Sequence, residues 1–289
     1  AFKKWGEEEG LKAQPITYLN SLYVRFHEEA NTDPALEDEA RLWFKKCEEG
    51  DKEAKKLWKI FKEMSLKEFQ KIYDLLGVSF DEVSGESLYD HAIPKTITLL
   101  KQLPETKMSE GALIVDLETS QMPPALILRR DGASLYLTRD IAALLDRHER
   151  YHFDRMLYVV GETQALHFKQ LFKVIELLGK EWGKECHQVS FGQIRLKGEQ
   201  MSTRKGTAIL LEELMDKATS LISKIIEEKN PKLTGKKEVA ERVGIGALIF
   251  ADFGSRRNKT VIFDWDIILN PEGDTGPYVM YTYARASSI

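Results

Sequence analysis

The chain has 289 residues, in which 42 lysines and arginines face 46 aspartates and glutamates for a formal net charge of −4. With 43% hydrophobic residues it has the make-up of a globular protein of one large or two modest domains, which excludes general disorder and a protein that coats nucleic acid by overall basicity. No run approaches the ~18–20 uninterrupted apolar residues of a membrane span, no signal peptide opens the chain, and Cys47 and Cys186 are too few for a disulfide framework or a cysteine zinc site, which suits a reducing compartment.

Taken in chain order, residues 16–76 predict helices, because Leu36, Ala40, Trp43 and Phe44 recur at three- and four-residue spacing among charged neighbours. Gly50-Asp51 and Ser65 are the expected breaks, and Ser65 with Glu68 fits a capping box. From about Gly77 short β-rich runs appear, at 78–80, 112–117, 125–129, 135–137, 156–161 and 189–192. Helical patterns at 93–103, 140–150 and 164–178 lie between them. The strand–helix–strand alternation over 156–192 argues a parallel βαβ unit, and the apolar run 157–160 predicts a central strand covered on both faces. Two more helices follow at 211–228 and 238–253, separated by the Asn230–Gly235 break. A turn-rich stretch at 271–277 precedes a final helix from Tyr278. There is no internal repeat and no low-complexity tract.

Three segments have residues suited to chemistry. In 200–206, Met201, Ser202, Thr203, Arg204, Lys205 and Gly206 form a small, hydroxyl-rich, cationic loop able to wrap a polyphosphate, although an ordinary basic surface loop has the same composition. In 131–140 a tight Asp131-Gly132 turn leads through a predicted strand to Thr138, the expected N-cap of a helix with Asp140 in its first turn. Asp140 there either complements the helix dipole or stands as a ligand-binding carboxylate at a strand's carboxyl end. In 161–168, Gly161 ends the central strand, and Gln164 and His167 share one side of the next helix; a lone histidine in this position is commonly a structural hydrogen-bonder.

Together these segments resemble the class I arginyl-tRNA synthetases. The strings D-G-A-S-L-Y-L-T-R-D-I-A (131–142), Y-V-V-G-E-T-Q-A-L-H-F (158–168), V-S-F-G (189–192) and M-S-T-R-K-G (201–206) occur in that family's order. They are flanked by L-L-G-V-S-F-D-E-V-S-G-E-S (75–87) and G-D-T-G-P-Y-V-M-Y-T-Y-A-R-A (273–286). The resemblance covers essentially the whole chain. It implies an α/β fold with a Rossmann-type parallel sheet: residues 1–76 as a helical connective region, 77–210 as the second half of the catalytic domain, and 211–289 as a helical stem and the start of an α-helical anticodon-binding domain. It also implies an arginine–tRNA ligase using ATP, with magnesium accompanying the nucleotide and no zinc. The implied partners are L-arginine and arginine tRNA, with no membrane; a monomer in the cytoplasm is the default, a mitochondrial copy having lost its transit peptide.

Residue by residue, Tyr136, Asp140 and Gln164 resemble the arginine pocket. Gly161, His167 and Met201 resemble the groups that meet the nucleotide, and Met201, Ser202, Thr203, Arg204 and Lys205 the catalytic loop. The chain departs from the family pattern in two places. No H-x-G-H string is present, so the motif is expected before Ala1 and this chain alone is expected to lack part of the ATP site. In the K-M-S-K-S loop, Gln200 and Thr203 replace the two lysines, and the cations stand at Arg204 and Lys205. A guanidinium is planar with five donors, so a selective pocket needs a carboxylate placed for two parallel hydrogen bonds, for which Asp140 is the candidate. The competing readings are a catalytically silent, synthetase-like tRNA-binding or scaffold protein and a different class I ligase in which Asp140 is merely structural.

Overall fold

A computed structural model describes residues 1–197 and 210–289. Its first elements are helices α1 (Phe2–Trp5), α2 (Glu8–Ala13), α3 (Pro15–Ala30), α4 (Ala35–Glu48), α5 (Lys52–Leu76) and α6 (Ile93–Leu100). Strands β1 (Thr106–Ser109), β2 (Ala112–Val115) and β3 (Ala125–Leu128) follow, then α7 (Tyr136–Tyr151), β4 (Met156–Gly161), α8 (Ala165–Leu177), β5 (Cys186–Phe191) and β6 (Ile194–Leu196). The chain closes with α9 (Leu211–Lys229), α10 (Lys236–Phe253), β7 (Val261–Phe263), α11 (Trp265–Ile268) and α12 (Gly276–Ala286). The described residues divide into two compact units, one of 1–80, 194–255 and 261–289, the other of 81–193 and 256–260.

The first unit is chiefly helical. Asp51 caps α5 by accepting hydrogen bonds from the Glu53 and Ala54 amides at 3.0 and 2.9 Å. The helix then runs unbroken through Ser65, so the expected capping box does not form; Glu68 instead pairs with Lys71 at 2.5 Å. Past Ser65 the helix continues to Leu76, and its partly buried Ile72 and Leu76 reach the α9–α10 core, a tertiary contact that a stop at Ser65 would forfeit. A core of Met215, Ala218, Ile222, Ala240, Ile245 and Leu248 joins α9 to α10, and Ile72 and Leu76 of α5 pack against it. At that crossing Gly244 has no room for a side chain: a Cβ there would lie 2.9 Å from the Thr219 nitrogen. The break expected at Asn230–Gly235 is present, with Gly235 at φ 68° starting α10. Strands β6 and β7 pair in parallel, Ile194 opposite Val261.

The second unit combines an antiparallel meander β1–β2–β3 with the βαβ unit β4–α8–β5. Strands β4 and β5 are parallel and in register from Met156↔Cys186 to Gly161↔Phe191, as the alternation over 156–192 predicts. The core gathers Leu100, Val115, Leu117, Ile127, Ile141, Leu144, Leu171, Val174 and Ile175, all fully buried. Two sequence expectations fail, one at 78–80 in the first unit and one in β4. Residues 78–80 form no strand, and 157–160 is not covered on both faces: Tyr158 is buried, whereas Leu157 is 52% and Val159 64% exposed. A third failure concerns 135–137, where no strand forms: Leu135 is the extended residue before α7, and Tyr136 and Leu137 open that helix.

That third correction changes where Asp140 lies. Thr138 does not cap α7; it is the helix's third residue, fully buried, and its hydroxyl donates to the Ile127 carbonyl at 2.6 Å. Between β2 and β3 the register shifts, because Leu113 faces Leu128 and Ile114 faces Leu126, leaving Ile127 as the extra residue. Its carbonyl therefore has no partner position on β2, and Thr138 supplies one.

Candidate active site

A turn with Gly132 at φ 80° reverses the chain after β3, and the Asp131 carboxylate accepts the Ala133 amide at 3.0 Å. Leu135 is extended and α7 starts at Tyr136. Leu137, Thr138, Ile141 and Leu144 face the core, which rotates Tyr136 and Asp140, four residues apart, to a shared outer face. Tyr136 is 73% exposed. Asp140 thus sits in the second turn of a helix and not at a strand tip, so neither the first-turn dipole position nor the strand-end position describes it.

On the other side, β4 delivers Gly161 to the sheet's carboxyl edge, a single 3-10 turn carries Glu162–Gln164, and α8 begins at Ala165. Gln164 precedes α8 and is exposed, and His167 is the helix's third residue. His167 reaches α7: its Nε2 lies 2.7 Å from Asp140 Oδ2, with both side chains partly buried. An ionised carboxylate only accepts, so Nε2 carries the proton. The structure therefore joins two residues that the sequence placed in separate segments, and Asp140 is not a lone acid. Tyr136 and Gln164 stand at the heads of the same two helices. Met201, Ser202, Thr203, Arg204 and Lys205 lie outside the described residues.

Behind the pair is a network that motif reading did not reveal. Arg139 donates to Asp90 at 2.7 Å. Arg147, two turns after Asp140, donates from Nε to the Tyr89 hydroxyl at 3.1 Å and from Nη1 to the Tyr158 hydroxyl at 3.5 Å, with its guanidinium over both rings. Burial pushes the Tyr158 phenol well above its ordinary value; Arg147 works against that shift and the charge of Asp140 adds to it. The alternation of β4 is the one sequence signal for this network, since it turns Tyr158 inward with Phe168 and Phe172. An open cavity of about 780 Å³ in the other unit is lined by Lys71, Asp74, Glu241 and Arg242 with apolar neighbours, and Tyr136, Asp140, Gly161, Gln164 and His167 do not border it. Among the described residues no helix is long and apolar enough to cross a membrane.

This architecture matches that of known proteins. Residues 1–265 match the model of the family described as tRNA synthetases class I (R), catalytic domain, and the chain belongs to that family. Over all 289 residues it is 49% identical to a protein named arginine–tRNA ligase from Clostridium perfringens and 50% identical to one of the same name from an Exiguobacterium species, covering 51% and 52% of those proteins. The chain thus spans about half the length of these relatives. Among solved structures it is similar to Thermus thermophilus arginyl-tRNA synthetase, with a TM-score of 0.77 at 24% identity over 94% of this chain and 51% of that one. At that identity the likeness speaks for the fold, a class I synthetase catalytic domain of mixed α/β type.

Proposed function

We propose that the complete protein is an arginine–tRNA ligase, which activates L-arginine with ATP and passes it to the 3′ end of arginine tRNA. The observation that carries this reading is the Asp140–His167 pair at the heads of α7 and α8, with Tyr136 on the same helical face as Asp140. A carboxylate oriented by a neighbouring donor suits a planar guanidinium, whose fork rewards fixed geometry, better than the point charge of lysine. Similarity along the whole of this chain, which covers about half of proteins named arginine–tRNA ligase, supports the same reading.

In this reading Asp140 binds the guanidinium, with Tyr136 and Gln164 completing the arginine pocket. Gly161 and His167 meet the nucleotide together with Met201; because Nε2 of His167 is committed to Asp140, the ring would approach the nucleotide through its Nδ1 edge. The arginine carboxylate attacks the α-phosphate of ATP, pyrophosphate leaves, and a ribose hydroxyl of the tRNA then displaces AMP from the adenylate. No covalent enzyme intermediate is needed, so the residues act by positioning and charge stabilisation. Ser202, Thr203, Arg204 and Lys205 are assigned to the phosphates. Among the described residues no group of three His, Cys, Asp or Glu could hold a metal ion, and magnesium is expected to accompany the ATP. The ion would travel with the ATP phosphates and neutralise their charge.

Residues 1–76 are assigned to the connective region, 77–210 to the second half of the catalytic domain, and 211–289 to the stem and the start of the anticodon-binding domain. A monomer in the cytoplasm completes the reading. The test is pyrophosphate exchange by the complete protein, with and without arginine tRNA. Exchange should depend on arginine and not on lysine or glutamate; exchange supported equally by another amino acid would refute the assignment.

A further inference from the structure

A basic turn outside the motifs is anchored to the edge of the candidate site. After α10 the chain runs through Arg256, Arg257, Asn258 and Lys259, all exposed, and belongs there to the same compact unit as β4 and β5. Its backbone is pinned twice: the Lys259 amide donates to the Arg256 carbonyl at 2.9 Å, closing the turn, and the Gly192 amide donates to the Arg257 carbonyl at 2.8 Å. Gly192 lets the turn come this close, since a Cβ there would collide with the Lys259 carbonyl. Gly192 directly follows Phe191, whose register partner across the parallel pair is Gly161. Adjacent strands lie about 4.8 Å apart, so the turn is fastened to the carboxyl edge one strand away from the loop that leads to Gln164 and His167. With its carbonyls turned to Gly192 and to its own closure, the turn has three cationic side chains in solvent, none of them in an ion pair among the described residues.

We infer that Arg256, Arg257 and Lys259 form a binding site for RNA phosphates, holding the backbone of the strand whose 3′ end enters the candidate site. The inference rests on the ligase reading for the identity of the RNA. Carboxyl edges of parallel sheets are where ligands of such folds lie, and an RNA that receives an acyl group there must pass its backbone over the neighbouring strand end. Exposed, separately mobile cations suit successive phosphates along a strand, whereas a compact triphosphate calls for converging, enclosed donors.

The test is binding of unacylated arginine tRNA to the complete protein at several potassium chloride concentrations. It compares wild type, the triple variant Arg256→Gln/Arg257→Gln/Lys259→Gln, and the charge-keeping variant Arg256→Lys/Arg257→Lys. The triple variant should bind roughly tenfold more weakly at low salt, with a log K against log salt slope shallower by about 2, one step of ~0.7–0.9 per lost phosphate contact. The lysine variant should retain the wild-type slope, and calorimetric affinity for ATP should be the same in all three proteins. An unchanged tRNA affinity and slope in the triple variant would overturn the inference, as would a fall in ATP affinity with tRNA binding unmoved. Because the slope is measured without catalysis, its result is separate from the outcome of arginine-dependent pyrophosphate exchange.

Discussion

Oδ2 of Asp140 accepts a hydrogen bond from Nε2 of His167 at 2.7 Å, tying the second turn of α7 to the first turn of α8. The pair fixes one carboxylate oxygen and the rotation of the side chain, which is what a ligand with a rigid fork of donors requires. It also adds a requirement: any guanidinium bound by Asp140 has to share the carboxylate with an imidazole already in place.

Asp140→Asn should leave the fold intact and raise the KM for arginine by about 30- to 100-fold in the complete protein. A partly solvated charge pair that loses its anion sits at the lower end of the range, about 2–3 kcal/mol. Steady-state pyrophosphate exchange checks it, and a wild-type arginine KM would leave Asp140 a structural partner of His167 alone.

His167→Ala removes the donor without touching the acid. The lost charge-assisted bond, about 1–2 kcal/mol, should appear as a roughly tenfold rise in arginine KM. His167→Gln, which keeps an N–H donor, should recover part of it. If arginine KM stays constant and ATP KM rises in both variants, the histidine serves the nucleotide only.

Thr138→Val is nearly isosteric and buried. It should destabilise the protein by about 1–3 kcal/mol, because the Ile127 carbonyl at the register shift loses the hydroxyl 2.6 Å away. Thr138→Ser should be far milder. Urea denaturation of the three proteins measures the difference.

Gly244→Ala tests the α9–α10 crossing. The added methyl would lie 2.9 Å from the Thr219 nitrogen and 3.0 Å from the Ala218 carbonyl carbon, backbone atoms that cannot rotate away. The helices must separate, at a cost of about 1–3 kcal/mol. A melting temperature equal to wild type would mean that the crossing relaxes freely.

Burial pushes the Cys186 thiol up to about 11 from an ordinary 9.0, so the folded protein holds its proton where the unfolded chain releases it. The stabilisation is complete below pH 9 and declines as the pH rises through 9 towards 11. Cys186→Ala should therefore lose less stability than wild type between pH 8 and pH 10.5 in urea titrations. Native protein at pH 8 should also resist iodoacetamide at Cys186, which peptide mass mapping reads directly.

Local pattern was enough for much of this protein. The three- and four-residue apolar spacing of 16–76, the Asn230–Gly235 break and the βαβ alternation over 156–192 are properties of neighbouring residues, and they appear in the structure as α3 to α5, the α9–α10 junction and β4–α8–β5. The ordered motifs were likewise enough to point to the family, since motif order is a property of the chain and not of its folding. Tertiary structure decided what depends on residues distant in sequence. Ser65 stays inside α5 because Ile72 and Leu76 beyond it reach the α9–α10 core, and α7 begins two residues before Thr138 because Thr138 is drawn inward to a carbonyl eleven residues away. Leu157 and Val159 read as core and stand exposed in this chain, which spans about half the length of its relatives, since apolarity states what a face prefers and only packing states whether it is covered. The same reason governs the site: Asp140 and His167 are 27 residues apart, and no local rule pairs them. The packing of α7 against α8 does so, by turning one side of each helix into the core and leaving the acid and the imidazole to meet on the other.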